Sequence, residues 1–252
     1  MAYDVGAHGL AQRYFTSGLE LAKAADDRSL GGRILAGMSH QANYLGRYSD
    51  AANLARAARA GANGAATPTA LALFHAMEAR ALASMGDEVA CATALSEAER
   101  CFEGRDPSAD PAWLRYFDAA ELAAEFAHCF RDLGHPSRAR DYVEQSIALS
   151  ESLYVRSLSF VKTILATSHV DGGDLEQGLS VAREVVATAC DLRSVRTRRY
   201  VREFLERVDR LPTSGACTDF RAFALAQLTD ARTRGLGDSK RVPAGSRRSL
   251  AQ

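Results

Sequence analysis

The sequence predicts an all-α fold made of stacked helical hairpins, and three observations predict it. A turn glycine recurs at Gly6, Gly46, Gly86, Gly134 and Gly173, with spacings of 40, 40, 48 and 39 residues. Five residues after each glycine stands a small residue (Ala11, Ala51, Cys91, Ala139, Gly178). Four later comes an apolar and usually larger one (Phe15, Ala55, Leu95, Val143, Ala182). The loop-forming stretches GANGAATP and GRDPSADP fall between these units rather than inside them. A fixed period of this size marks a repeat architecture, in which each unit buries its apolar face against the next.

The period exceeds the roughly 34 residues of a minimal tetratricopeptide repeat, so helices or connecting loops must be extended. The residue types nonetheless follow that pattern. A small residue after the turn lets the second helix of a hairpin approach the first, and larger apolar residues fill the gap to the neighbouring hairpin. The expected architecture is a tetratricopeptide-like right-handed superhelix, an α-solenoid, over residues 1–189. Capping helices follow at 190–234 and a disordered tail at 235–252.

Taken in order, Met1–Asp4 would supply only the last turn of a first helix, with its partner over Leu10–Ala25. Leu10, Tyr14, Phe15 and Leu19 would then lack their usual cover. The second hairpin pairs Ser29–Leu45 with Ser49–Ala60. The third starts with Thr67 as N-cap and Pro68 at the first helical position and runs to about Phe102. The fourth is expected to open at Pro111, capped by Asp110, in one long helix that carries the single tryptophan. The fifth pairs Leu153–Val170 with Glu176–Cys190, and Leu192–Leu211 and Thr218–Arg234 form the capping pair.

A chain of 252 residues with 47% hydrophobic and 25% charged side chains can bury a substantial core. The net charge is zero but unevenly placed, since residues 190–252 hold 14 basic and 7 acidic side chains. That asymmetry marks Arg193–Arg210 either as a solvated helix or as a contact for an acidic partner. The five cysteines are scattered and odd in number, the usage of reduced thiols in the cytoplasm. No apolar run approaches the ~20 residues of a membrane span, and the N-terminus lacks the pattern of a signal peptide. No phosphate loop, nucleophile elbow, zinc signature or dinucleotide fingerprint occurs, so the expectation is no catalysis, no cofactor and no metal.

Counting back from each turn glycine gives the residues of the first helices that would face a concave groove. They are Arg33, His40, Asn43 and Tyr44 in the second hairpin, and Arg80 in the third. The fourth gives Glu121, His128 and Arg131, and the fifth Thr167. Polar groups among alanines leave a recess with converging donors, suited to a peptide, a small ligand or a protein segment. Arg33 and Arg80 could hold a carboxylate through the planar guanidinium fork. Arg33, Asn43 and Arg80 should therefore be partly exposed and matter little for stability. His40 and His128 read more readily as hydrogen-bonding residues than as metal ligands, and Trp113, Tyr116 and Phe117 as packing.

The stretches MAYDVGAHGLAQRYF, MSHQANYLGRYSDAANLARAARAGA, WLRYFDAAELAAEFAHCFRDLG and SVRTRRYVREFLERV resemble a known family. It is the C-terminal tetratricopeptide-like domain of actinomycete transcriptional regulators with an N-terminal Cro/C1-type helix-turn-helix. The resemblance covers about residues 1–210 and implies a domain that senses a ligand or partner. No helix-turn-helix is present in this sequence, so direct DNA binding is not implied. The expectation is a non-enzymatic binding module. The alternatives are a nucleic-acid-associated regulator acting through the basic C-terminal helix, or an oligomerisation scaffold joined through the incomplete first repeat.

Overall fold

The computed structural model describes residues 5–150, 155–191 and 195–238, and among them the chain is all α, with eleven α-helices. These are α1 (His8–Ala24), α2 (Arg28–Tyr44), α3 (Tyr48–Gly61), α4 (Pro68–Ser84), α5 (Glu88–Glu103) and α6 (Ala119–Asp132). They continue as α7 (Pro136–Leu149), α8 (Val155–Asp171), α9 (Leu175–Asp191), α10 (Val195–Val208) and α11 (Gly215–Asp238). Neighbours pack as hairpins, α2 with α3, α4 with α5, α6 with α7 and α8 with α9. The first helices also touch in sequence, α2 on α4, α4 on α6 and α6 on α8, which makes them a continuous row. No described helix is long and apolar enough to cross a membrane.

The turns explain the hairpins. All five turn glycines adopt positive φ, from +75° to +88°, where a Cβ would be strained. The residue after each of four of them donates its N–H to a carbonyl of the preceding helix. Arg47 bonds Ala42 at 2.9 Å, Asp87 bonds Leu82 at 3.0 Å, His135 bonds Phe130 at 2.8 Å and Asp174 bonds His169 at 2.9 Å. That pattern satisfies orphan carbonyls at a helix end and reverses the chain in few residues. Between α1 and α2 the same turn forms without glycine: Asp26 takes φ +52°, and Asp27 N–H bonds Ala22 at 2.9 Å. The next helices start on capping side chains, Asp27, Thr67 and Asp87 each accepting a backbone N–H of the first turn.

Close packing follows the small residues. Ala51, Cys91 and Ala139 have no exposed surface. At Gly178 an added Cβ would lie 2.6 Å from Val170 Cγ2 and 2.9 Å from the Ala166 carbonyl, so α8 and α9 meet at backbone distance. Buried hydroxyls stitch the same contacts, Ser39 donating to the Ala51 carbonyl and Ser146 to the Ala120 carbonyl, both at 2.8 Å. One core runs through α2 to α8, and a second joins α8 and α9 to α10 and α11.

Three expectations are corrected. The fourth hairpin does not open with a long helix at Pro111. Asp110 instead accepts the hydroxyls of Thr67 at 2.7 Å and Thr69 at 2.6 Å, and Pro111 stays extended. Short 3-10 turns at Pro107–Ala109 and Ala112–Leu114 lead to α6, whose cap is Asp118, accepting Glu121 N–H at 2.9 Å. The bent path buries Leu114 and Phe117, and Phe117 meets Phe102 edge-on at 6.2 Å. On α1, Phe15 lies against Gly37 and Leu19 against Gly31 of α2, so two of the four residues expected to lack cover have it. Leu10 and Tyr14 remain exposed, and Leu21 joins them on the same stripe. Lastly, α11 continues to Asp238, so the expected tail is helical over 235–238; its remainder, and the partial first helix at 1–4, lie outside the described residues.

Candidate functional site

The residues expected to face a groove do lie along the row of first helices, but several are already engaged with one another. Arg80 of α4 donates to Glu125 of α6 at 2.5 Å, with both side chains 8% exposed. Burial opposes the Arg80 charge, but the Glu125 carboxylate together with Tyr200, Asp132 and Cys129 outweighs it, so the guanidinium is held protonated. The expectation of a partly exposed Arg80 is thus overturned. It does hold a carboxylate, but one supplied by the neighbouring helix. Arg33 is half-buried, its guanidinium 5.3 Å from the centre of the Tyr116 ring. Asn43 is also half-buried.

His128 is buried and His40 half-buried in an arginine-rich interior. Burial holds both imidazoles well below their ordinary 6.5. For His40 the nearby Arg196, Arg80 and Arg33 add to the effect, and for His128 chiefly Arg80, Arg131 and Arg196. Both are neutral at pH 7. Glu121 moves the other way: burial, then the Glu125 and Asp118 carboxylates, push it up to about 7 against the pull of Arg196 and Arg80. Thr167 is buried and its hydroxyl donates to the Thr163 carbonyl one turn back at 2.8 Å, leaving it no donor for a ligand.

Sequence reasoning missed what α10 does. This Arg-rich helix packs on α8 and α9 as a capping helix would, but Arg196, Arg199 and Arg207 turn towards the protein while Arg202 is exposed. The Arg196 guanidinium lies 3.8 Å from the centre of the Phe160 ring. Arg199 lies 4.3 Å over Tyr44 of α2, and Arg207 pairs with Asp171 of α8. Val195 reaches Gly6 at the opposite end of the repeat array, its Cγ1 3.3 Å from where a Cβ there would sit. The signal was present in the sequence: 196, 199, 200, 203 and 207 share one helical face.

Together α2, α3, α4, α6 and α10 border an open cavity of about 340 Å³. Its wall is made by Asn43 and Tyr44 of α2, Tyr48 of α3, Arg80 and Ser84 of α4, and Arg131 and Asp132 of α6. Arg199, Tyr200, Glu203 and Arg207 of α10 complete it. Of the sequence-expected residues it gathers Asn43, Tyr44, Arg80 and Arg131; Arg33, His40, Glu121, His128 and Thr167 are not on the wall. Arg131 folds onto the adjacent Asp132, with Nε at 2.8 Å and Nη2 at 2.5 Å from one carboxylate oxygen. Ser84 donates to the other oxygen at 3.1 Å. The buried Arg80 Nε and Asn43 side-chain oxygen have no hydrogen-bond partner among the described residues.

A second cavity of about 140 Å³, among α5, α6 and α7, is smaller, and the roughly 10 Å³ void beside Val185 and Phe204 is an apolar packing gap. Among the described residues no cluster of His, Cys, Asp and Glu is placed to hold a metal ion. No protein-family model matches the chain, and no curated protein matches it either.

Proposed function

We propose that this chain is a non-enzymatic, tetratricopeptide-like binding module, the sensing part of a transcriptional regulator, which takes a peptide or small ligand between its first helices and α10. The observation that carries the reading is the polar cavity, where four residues expected from the sequence meet the face of a helix from the far end of the chain. Its volume falls in the range of small-molecule sites, and hydrogen-bonding groups from five helices converge on it. A concave first-helix face and the family resemblance support the same reading. The nucleic-acid alternative draws no support from α10, because Arg196, Arg199 and Arg207 are engaged with the protein.

The test is selection of short random peptides on the immobilised chain, with each enriched peptide re-measured against Asn43→Ala and Tyr48→Ala. Saturable binding that both substitutions weaken supports the proposal. Peptides that bind all three proteins equally, or no enrichment together with no saturable binding of a small ligand, would overturn it. Self-association is a second reading with its own observation, the exposed stripe of Leu10, Tyr14 and Leu21 along α1.

A further inference from the structure

The ion pairs around the cavity differ in kind. Arg80 and Glu125 reach each other from separate helices and are buried, which makes their pairing part of the α4–α6 contact. Arg131 and Asp132 are adjacent on one helix, where neighbouring side chains do not face each other. Their pairing requires the guanidinium to fold back, and it satisfies an arginine that makes no ion pair to another helix among the described residues. Arg199 and Glu203 are four apart on α10 and more than 40% exposed, the class of pair that contributes little. Two guanidinia, from α6 and α10, thus face one cavity, each ion-paired only with a carboxylate of its own helix, and Arg199 lies besides over the Tyr44 ring of α2. A third, Arg80, presents an unpartnered Nε–H in a side chain that is more than nine-tenths buried.

We infer that the cavity binds a small ligand through an oxyanion, a carboxylate or a phosphate, bridging Arg131 and Arg199 and accepting from Arg80 Nε–H. This rests on the binding-module reading above and names the chemistry of its ligand. The oxyanion replaces Asp132 and Glu203 as acceptor, and each guanidinium rotates from its own helix towards the cavity. Planar forks match such groups two bonds at a time, and bonds to charged groups are the stronger ones. The Asn43 side-chain oxygen then takes an N–H or O–H of the same ligand. Since Arg199 belongs to α10 and Arg131 to α6, the bound ligand also ties the C-terminal helix to the middle of the array.

Calorimetric titration with inorganic phosphate and, separately, with succinate at constant ionic strength tests this and separates the two sources. One of the two should bind saturably with one site per chain. Arg131→Gln and Arg199→Gln should each weaken it about tenfold or more, the scale of one hydrogen bond to a charged group. Asp132→Asn and Glu203→Gln remove the competing carboxylates and should tighten it. A purely structural role for these pairs predicts no such gain, and the exposed Glu203 keeps the test informative if an Arg131 variant unfolds. Absence of saturable binding by either probe, or affinity unmoved by all four substitutions, would overturn the inference. Selected peptides that need Asn43 but tolerate Arg131→Gln would overturn it while leaving the binding-module reading intact.

Discussion

Arg80→Ala should destabilise the protein severely, contrary to what a groove-lining arginine would do. The substitution leaves Glu125 in a site where only 8% of its side chain is exposed, with its 2.5 Å partner gone. Removing one member of a buried pair typically costs about 3–5 kcal/mol, because the remaining charge is desolvated and unpaired. Replacing both partners, as Arg80→Met with Glu125→Leu, removes both charges and should recover most of that loss. Urea unfolding followed by circular dichroism measures all of these, and the exposed Arg100–Glu97 pair is the control. Arg100→Ala should leave stability nearly unchanged. If Arg80→Ala were as mild as Arg100→Ala, the buried pair would not be structural. The separation between fixed and exchangeable arginines would then fall.

Three further outcomes are expected. Ala51→Leu should cost roughly 1–3 kcal/mol in urea unfolding, because Ala51 has no exposed surface and Ser39 bonds its carbonyl at 2.8 Å; a neutral result would contradict the hairpin packing. Glu121→Gln should stabilise the protein increasingly as pH rises from 5 to 8. A carboxyl raised to about 7 from an ordinary 4.5 contributes its stability below 4.5 and loses it as pH climbs through 7. The His40 and His128 contributions, lost on acidification, are common to both proteins and cancel; a pH-independent difference would refute the burial of Glu121. Light scattering across a concentration series should show association that Tyr14→Glu and Leu21→Glu abolish, and a chain monomeric throughout would dismiss the α1 stripe as a contact.

The hairpins were legible in the sequence because their cause is local. A positive-φ glycine and a small residue five later are both written in the chain, and they marked the turns of the four described hairpins. The turn at Asp26 was hidden because a non-glycine took the left-handed conformation, held there by the Asp27 N–H bond and the Asp27 cap. The start of α6 was misplaced because Asp110 and Asp118 are both good caps. A contact with Thr67 and Thr69, more than 40 residues away, decided between them.

The site was legible only in part. Helical counting named the face on which Asn43, Tyr44, Arg80 and Arg131 lie. It could not show that Arg80 finds Glu125, since pairing depends on the offset between α4 and α6. Nor could it place α10, because its five-residue stripe fits a solvated surface as well as an inward-facing wall. What turns it inward is the aromatic seat that Phe160 and Tyr44 offer its arginines.

The most direct test of the account is amide hydrogen exchange measured with and without a bound probe, either a selected peptide or the anion that titrates. If recognition occurs between the first helices and α10, protection should rise in the last turns of α2, α4 and α6 and along α10 together, with the second helices α5, α7 and α9 unchanged. Protection confined to those second helices, or rising on the first helices while α10 becomes freer to exchange, would contradict it.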